Sequence, residues 1–303
     1  MGSICRNSHQ TTILLWRAFM SKEENLIMRE IPESGPLFVP MTNDYLFRAM
    51  LQRNEEILRG LTCALLSLKP EEIESVSIEN PILLGEAIDN KTFILDVLVK
   101  LNNNKLINLE MQVINTSYWV ERSLSYLCRT FDRLEKGERY DRVLPVHQIG
   151  ILNYTLFEDA PEFYANYMLL NTRNKRIYSD KIKLSVLDLN RVDLATKEDK
   201  TNELDFWAKL FKSKTWEELR MLAEKEPIFK TIATEVRNIS SEERIRMQCE
   251  AREDYNRSQA SFHGFYQDQI NELKDTIQEK DEALAEKDRL IEELQAKLAE
   301  KEN

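Results

Sequence analysis

The chain is poor in the residues that punctuate or staple a fold: 7 glycines, 8 prolines, 4 cysteines and 3 histidines among 303 residues. So few glycines and prolines leave little room for long structureless linkers. Cys5, Cys63, Cys128 and Cys249 lie far apart, without the paired spacing of a metal site and without a small secreted scaffold to staple, so reduced thiols are expected. With His9, His147 and His263 alone, a zinc cluster or a histidine-based triad is improbable, and any metal chemistry falls to carboxylates. No apolar run approaches the roughly 20 residues needed to span a bilayer. The most apolar early stretch, Thr12 to Met20, is short and contains Arg17. No small-residue cleavage site follows it, and Arg6 stands where a myristoylation signal would place Ser or Thr. A cytoplasmic chain without membrane contact is therefore expected. Met20, followed by Ser21-Lys22-Glu23-Glu24, reads as an alternative start.

What is present suits a globular protein with well-solvated helices: 42% hydrophobic and 31% charged residues. The net charge of −10 argues against nucleic-acid binding by bulk electrostatics alone. Residues 271–303 hold eleven acidic and six basic side chains, so half of that charge sits in the tail and a basic groove elsewhere stays open. The expected organisation is an N-terminal extension over 1–35 without fixed order, a main domain over 36–239, and a long charged helix over 240–303.

Helix signals come first. Thr42 is placed to cap a helix over 43–52, and Asn54 a second one carrying Ile57, Leu58, Leu61, Leu65 and Leu66. Residues 73–78 alternate as a short strand, and 93–99 and 105–113 read as two strands about Asn102-Asn103-Asn104, a hairpin. An amphipathic helix over 117–134, with Trp119, Leu124, Leu127, Cys128 and Phe131, is expected to lie on the sheet. Residues 147–156 and 182–189 look like buried strands, while 163–170 fits a strand or a helix. Helical periodicity takes over from Glu203. Ser240 and Glu243 match a capping box opening the last long helix, with a break expected near Gly264. From Ile270 a heptad places Ile270, Ile277, Leu284, Ile291 and Leu298 at a, but Lys280 and Lys287 at d, so a self-associating coiled coil and a solvated single helix both fit.

The chemistry concentrates in the hairpin. Period two puts Asn108, Glu110 and Gln112 on one face of their strand, and Ile107, Leu109, Met111 and Val113 on the other. If the loop centres on Asn103, cross-strand partners sum to 206 and Asp96 faces Glu110. Facing Cβ atoms lie about 4.5–5.5 Å apart, and like charges there are destabilising unless compensated. A divalent cation such as Mg²⁺ would compensate. The alternative is an exposed hairpin whose acids touch water or pair with Lys91, Lys100 or Lys105.

Leu95-Asp96-Val97-Leu98-Val99 followed by Asn108-Leu109-Glu110-Met111-Gln112 resembles the core of the PD-(D/E)XK nuclease superfamily, and more closely the Rpn recombination-promoting nuclease and transposase group. Thr42-Asn43-Asp44-Tyr45-Leu46-Phe47, Glu121-Arg122, Tyr126, Gly137-Glu138-Arg139-Tyr140 and Pro145-Val146-His147-Gln148-Ile149 extend the likeness over about residues 40 to 190. The resemblance implies an α/β fold with a central mixed sheet flanked by helices, and Mg²⁺- or Mn²⁺-dependent cleavage of DNA. It implies that Asp96, Glu110 and the Met111 backbone carbonyl hold the metal. Gln112 stands where the superfamily has lysine; it could orient water and phosphate but lacks the positive charge. Asp44 is a further candidate acid, or simply a first-turn acid favoured by the helix dipole. Arg122, Arg129 and Arg133, at helical spacing, offer DNA phosphate contacts or ordinary surface salt bridges. Three functions follow: an Rpn-type DNA endonuclease, a degenerate nuclease fold that binds without cutting, and an interaction protein whose helical tail dimerises it or recruits a partner.

Overall fold

The computed structural model describes residues 31–82, 84, 96–115 and 118–301. Among these, helices α1 (Asp44–Arg53) and α2 (Glu55–Leu66) precede strand β1 (Val76–Ile78) and the hairpin β2 (Val97–Leu101) and β3 (Lys105–Gln112). Helix α3 (Trp119–Phe131), strands β4 (Val146–Leu152), β5 (Tyr164–Met168) and β6 (Ile182–Asp188), and helices α4 (Lys197–Thr201), α5 (Leu204–Lys212), α6 (Trp216–Ala223), α7 (Pro227–Ser241) and α8 (Glu243–Lys301) follow. The strands form one mixed sheet in the order β1-β2-β3-β4-β6-β5, parallel at β3/β4 and β4/β6 and antiparallel elsewhere. This is the α/β architecture expected, with 163–170 resolved as an edge strand.

The hairpin register is the expected one. Val97 pairs with Leu109, Leu98 with Asn108 and Leu101 with Lys105. Asn102 and Asn103 take φ of 48° and 55°, a left-handed conformation that asparagine tolerates better than most residues. The Asn102 side chain also ties the turn back to the approach to β1, accepting from the backbone N–H groups of Glu74 and Ser75 at 2.8 and 3.1 Å.

The sheet has two covered faces. One carries Val97, Val99, Ile107, Leu109, Met111, Ile149, Ile151 and Leu187 into the main core beneath α1, α2 and α5–α7. Each large apolar side chain fully buried there contributes about 1.5–3 kcal/mol. The other face lies under α3, whose buried stripe is Trp119, Ser123 and Leu127, while Leu124 and Cys128 turn to solvent, contrary to expectation. Gly150 on β4 permits the approach: a Cβ there would sit 2.2 Å from Trp119 Cζ2.

Several sequence-based boundaries shift. Asn43, not Thr42, caps α1, accepting from Leu46 N at 3.0 Å. The Ser240–Glu243 capping box does not form, because Ser240 and Ser241 are the last residues of α7 and α8 begins only at Glu243. The compact unit extends past 239 to Asp254, with Ile245 and Cys249 buried in its core. No break occurs at Gly264, since glycine costs a helix only about 1 kcal/mol and α8 runs on through it. At the other end, Ile31 is buried and residues 35–37 bond to the start of α6, while Glu33 and Ser34 between them are exposed. The second unit, Tyr255–Asn303, is helical through Lys301. No helix among the described residues is long and apolar enough to cross a membrane.

Candidate active site

The site forms where β2 enters the sheet. Asp96 immediately precedes Val97, so extending the observed register by one residue sets it opposite Glu110. Its backbone is clamped from two directions: Asn80 Nδ2 donates to Asp96 O at 2.9 Å and Arg48 Nη1 donates to the same carbonyl at 2.5 Å. Asn80 Oδ1 then accepts from Leu98 N at 2.9 Å, continuing the strand. Arg48 is fully buried in α1, and it also donates to Asn80 O. The sequence reading missed both residues, because neither belongs to a local motif and their role exists only once α1 meets the hairpin.

Glu110 is 4% exposed, which removes the solvated-hairpin alternative for this acid. Its Oε1 accepts from Arg122 Nη2, and the same nitrogen donates to Gln112 Oε1 at 2.5 Å. Glu110 Oε2 is buried without a hydrogen-bond partner. The Lys100 ammonium lies instead near Glu79, at 3.9 Å. Asp44, buried at the first turn of α1, has Oδ2 held by Arg252 Nε at 2.6 Å, and its Oδ1 has no partner.

The three acids sense one another. Burial first, and then the Glu110 charge, pushes the Asp96 carboxyl up to about 7, against a hydrogen bond from Asn108 and the charges of Arg122 and Arg48. Burial also raises Glu110, with Asp44 adding to the effect and Arg122 opposing it. Asp44 is raised by burial in spite of Arg252. Such a site concentrates negative charge that burial disfavours, the condition that a hard cation with oxygen ligands relieves. The donor set fits: carboxylate oxygens, two of them buried and unpartnered. Among the described residues no group of three or more acid, histidine or cysteine side chains already stands arranged around a metal position. Arginines hold Glu110 and Asp44 instead.

The remaining expected residues separate. Gln112 uses both ends of its amide, donating from Nε2 to Ile114 O at 2.8 Å while Oε1 receives Arg122. Met111 lies beyond the β2 pairing, which begins at Val97 opposite Leu109, and pairs on its other side with Ile151. Arg122, Arg129 and Arg133 do not form one row. Arg122 turns inward, Arg129 is exposed on α3, and Arg133 lies past the helix end in a groove lined also by Lys100, Thr130, Phe131, Glu138 and Arg142. Arg252, 208 residues from Asp44, carried no sequence signal.

A family model described as PD-(D/E)XK nuclease family transposase matches residues 41–263. The chain belongs to that family. The match spans α1 through the sheet and into α8, so the hairpin acids and the site arginines Arg48, Arg122 and Arg252 fall within it. No curated protein and no solved structure matches the chain. Membership of this nuclease family carries a nuclease-like function and DNA as substrate.

Proposed function

We propose that the chain is a Mg²⁺-dependent DNA endonuclease of the Rpn recombination-promoting type, acting in recombination or on mobile elements, with Asp96 and Glu110 as metal ligands. The observation that carries this reading is the buried, unpartnered Glu110 Oε2 on the residue that faces Asp96 across the hairpin. The Met111 carbonyl, next along β3, would complete the set, and Asp44 adds a third acid from α1. These residues would hold a divalent cation, which when bound would supply Lewis-acid polarisation of the scissile phosphate and offset charge on the leaving oxygen. In the hydrolysis, a water oxygen bonds to phosphorus as the bond to the leaving sugar oxygen breaks; the water's proton leaves to solvent and the leaving oxygen takes one up. The protein's part is positional: Asn80 and Arg48 fix the Asp96 backbone, and Arg122 of α3 holds one oxygen of Glu110.

The test is nicking of supercoiled plasmid by purified protein with Mg²⁺, with Mn²⁺ and with EDTA. Metal-dependent nicking lost in Asp96→Ala and Glu110→Ala supports the reading; nicking that survives both substitutions rejects this site. A second reading, a nuclease fold that binds DNA without cutting, is favoured by the absence of a motif lysine, and DNA retention without nicking under either metal would select it. The tail supports a homodimer: Ile270, Leu273, Ile277, Leu284, Ile291 and Leu294 are all exposed along α8. Sedimentation of the full chain as a monomer would remove that element.

A further inference from the structure

The superfamily motif of the resemblance has lysine where this chain has Gln112, a replacement common in its group, and a positive charge lies within reach from another element. We propose that Arg122, on α3, supplies the phosphate-facing cation of the site in place of that lysine; the inference rests on the nuclease reading above. Three observations point there.

First, the guanidinium lies at the end of the Gln112 side chain, 2.5 Å from Oε1, so the charge stands just beyond the motif position. Second, it is not the bidentate pair that arginine and carboxylate frequently form, with two parallel N–H groups on two oxygens. Here a single nitrogen, Nη2, is shared between Glu110 Oε1 and Gln112 Oε1, while Arg122 Nε is buried with no acceptor and Glu110 Oε2 is equally unmet. A buried N–H without a partner carries a desolvation cost that an incoming acceptor removes. Third, the side chain is positioned by its own helix: the Tyr126 ring lies 6.0 Å from the guanidinium carbon, and Trp119 on Gly150 seats the start of α3 against the sheet.

The Arg122 side chain is 26% exposed, so a phosphate arriving beside Glu110 reaches the guanidinium at its open edge, and the planar fork suits a phosphate better than a lysine point charge. Gln112 thereby becomes a positioning residue: its carbonyl holds the arginine, and its NH₂ group anchors to Ile114 O. Arg122 carries two opposed effects. It competes with a metal for Glu110 and it provides charge for the reaction, so removing it separates metal affinity from turnover.

The experiment uses the full chain, with Mn²⁺ binding read by electron paramagnetic resonance and plasmid nicking measured in parallel. Arg122→Gln is expected to bind Mn²⁺ about tenfold more tightly, the size of one charge-assisted contact removed, and to nick about 100-fold more slowly, as when one preorganised donor is lost. The double variant Gln112→Lys/Arg122→Gln returns a cation to the motif position and is expected to recover at least about tenfold of the nicking. An arginine that only neutralises the acids would give tighter Mn²⁺ binding with undiminished nicking, and that result overturns the proposal, as does a folded double variant with no recovery. Should Arg122→Gln lose its melting transition, Arg122→Met decides: nicking slowed in a folded protein that still binds Mn²⁺ supports charge supply, and undiminished nicking overturns it. Wild-type protein that binds Mn²⁺ but never nicks ends the nuclease reading itself, an outcome distinct from normal nicking by Arg122→Gln.

Discussion

The two faces of the sheet are both covered, yet they are built on opposite terms. Beneath α1, α2 and α5–α7 the strands present valine, isoleucine, leucine and methionine to a continuous apolar core. Beneath α3 they present Asp96, Asn108, Glu110, Gln112 and Gln148, with smaller apolar clusters around Trp119 and Leu127 to either side. Several unmet polar atoms gather on this second face or beside it: Glu110 Oε2, Arg122 Nε, Gln148 Nε2 and Asp44 Oδ1. Burial of charge without full pairing is costly. The first face therefore carries the stability that lets the second retain reactive groups in an unfavourable state.

That contrast can be tested from the largest effect downward. Truncating the apolar face, for example Trp207→Ala at a fully buried position, is expected to cost about 3–5 kcal/mol in denaturant unfolding, without changing Mn²⁺ binding by the folded fraction. Gly150→Ala on the α3 side drives a methyl into the Trp119 ring and is expected to cost about 1–3 kcal/mol. Because Trp119 seats the helix that carries Arg122, this variant should lose nicking even at temperatures where it stays folded.

The third test is the pH dependence of stability, with the protein stripped of metal. Asp96 has a folded-state value of about 7, above its ordinary 3.8. Between those values the folded chain retains a proton that the unfolded chain releases. Its contribution is therefore favourable to folding at low pH and declines as pH rises from about 4 to 7. Asp96→Asn should match wild type near pH 4 and exceed it in melting temperature near pH 8; equal melting temperatures at both ends would show that the carboxyl is not held in this way. His147, on the apolar face, behaves oppositely. Burial and the nearby Lys105 and Lys183 depress it to about 3, so its contribution is present above pH 6.5 and is lost as pH falls toward 3. The smallest effect expected is from deleting residues 255–303, which lie outside the compact unit ending at Asp254: a melting shift no larger than about 2–4 °C, equivalent to about 1 kcal/mol.

Much of the fold was legible because periodicity and turn chemistry are local. The alternation on β3, the asparagine turn and the resulting register follow from neighbouring residues, and they place Asp96 opposite Glu110. Helix ends were less legible. Ser240 carries a capping side chain, but tertiary packing extends α7 past it and buries Ile245 and Cys249 with the core. The partners of the acids were least legible, since Arg48, Asn80 and Arg252 reach the site across long stretches of chain. Arg122 was visible as a basic residue on an amphipathic helix, yet its inward direction depends on how closely Gly150 lets Trp119 approach.

The most direct test of the central claim is a Mn²⁺ titration of metal-stripped protein at pH 8, comparing wild type with Asp96→Asn and Glu110→Gln. The account predicts one site per chain in wild type, weakened at least about tenfold in each variant. Binding that is unchanged by both substitutions would contradict it.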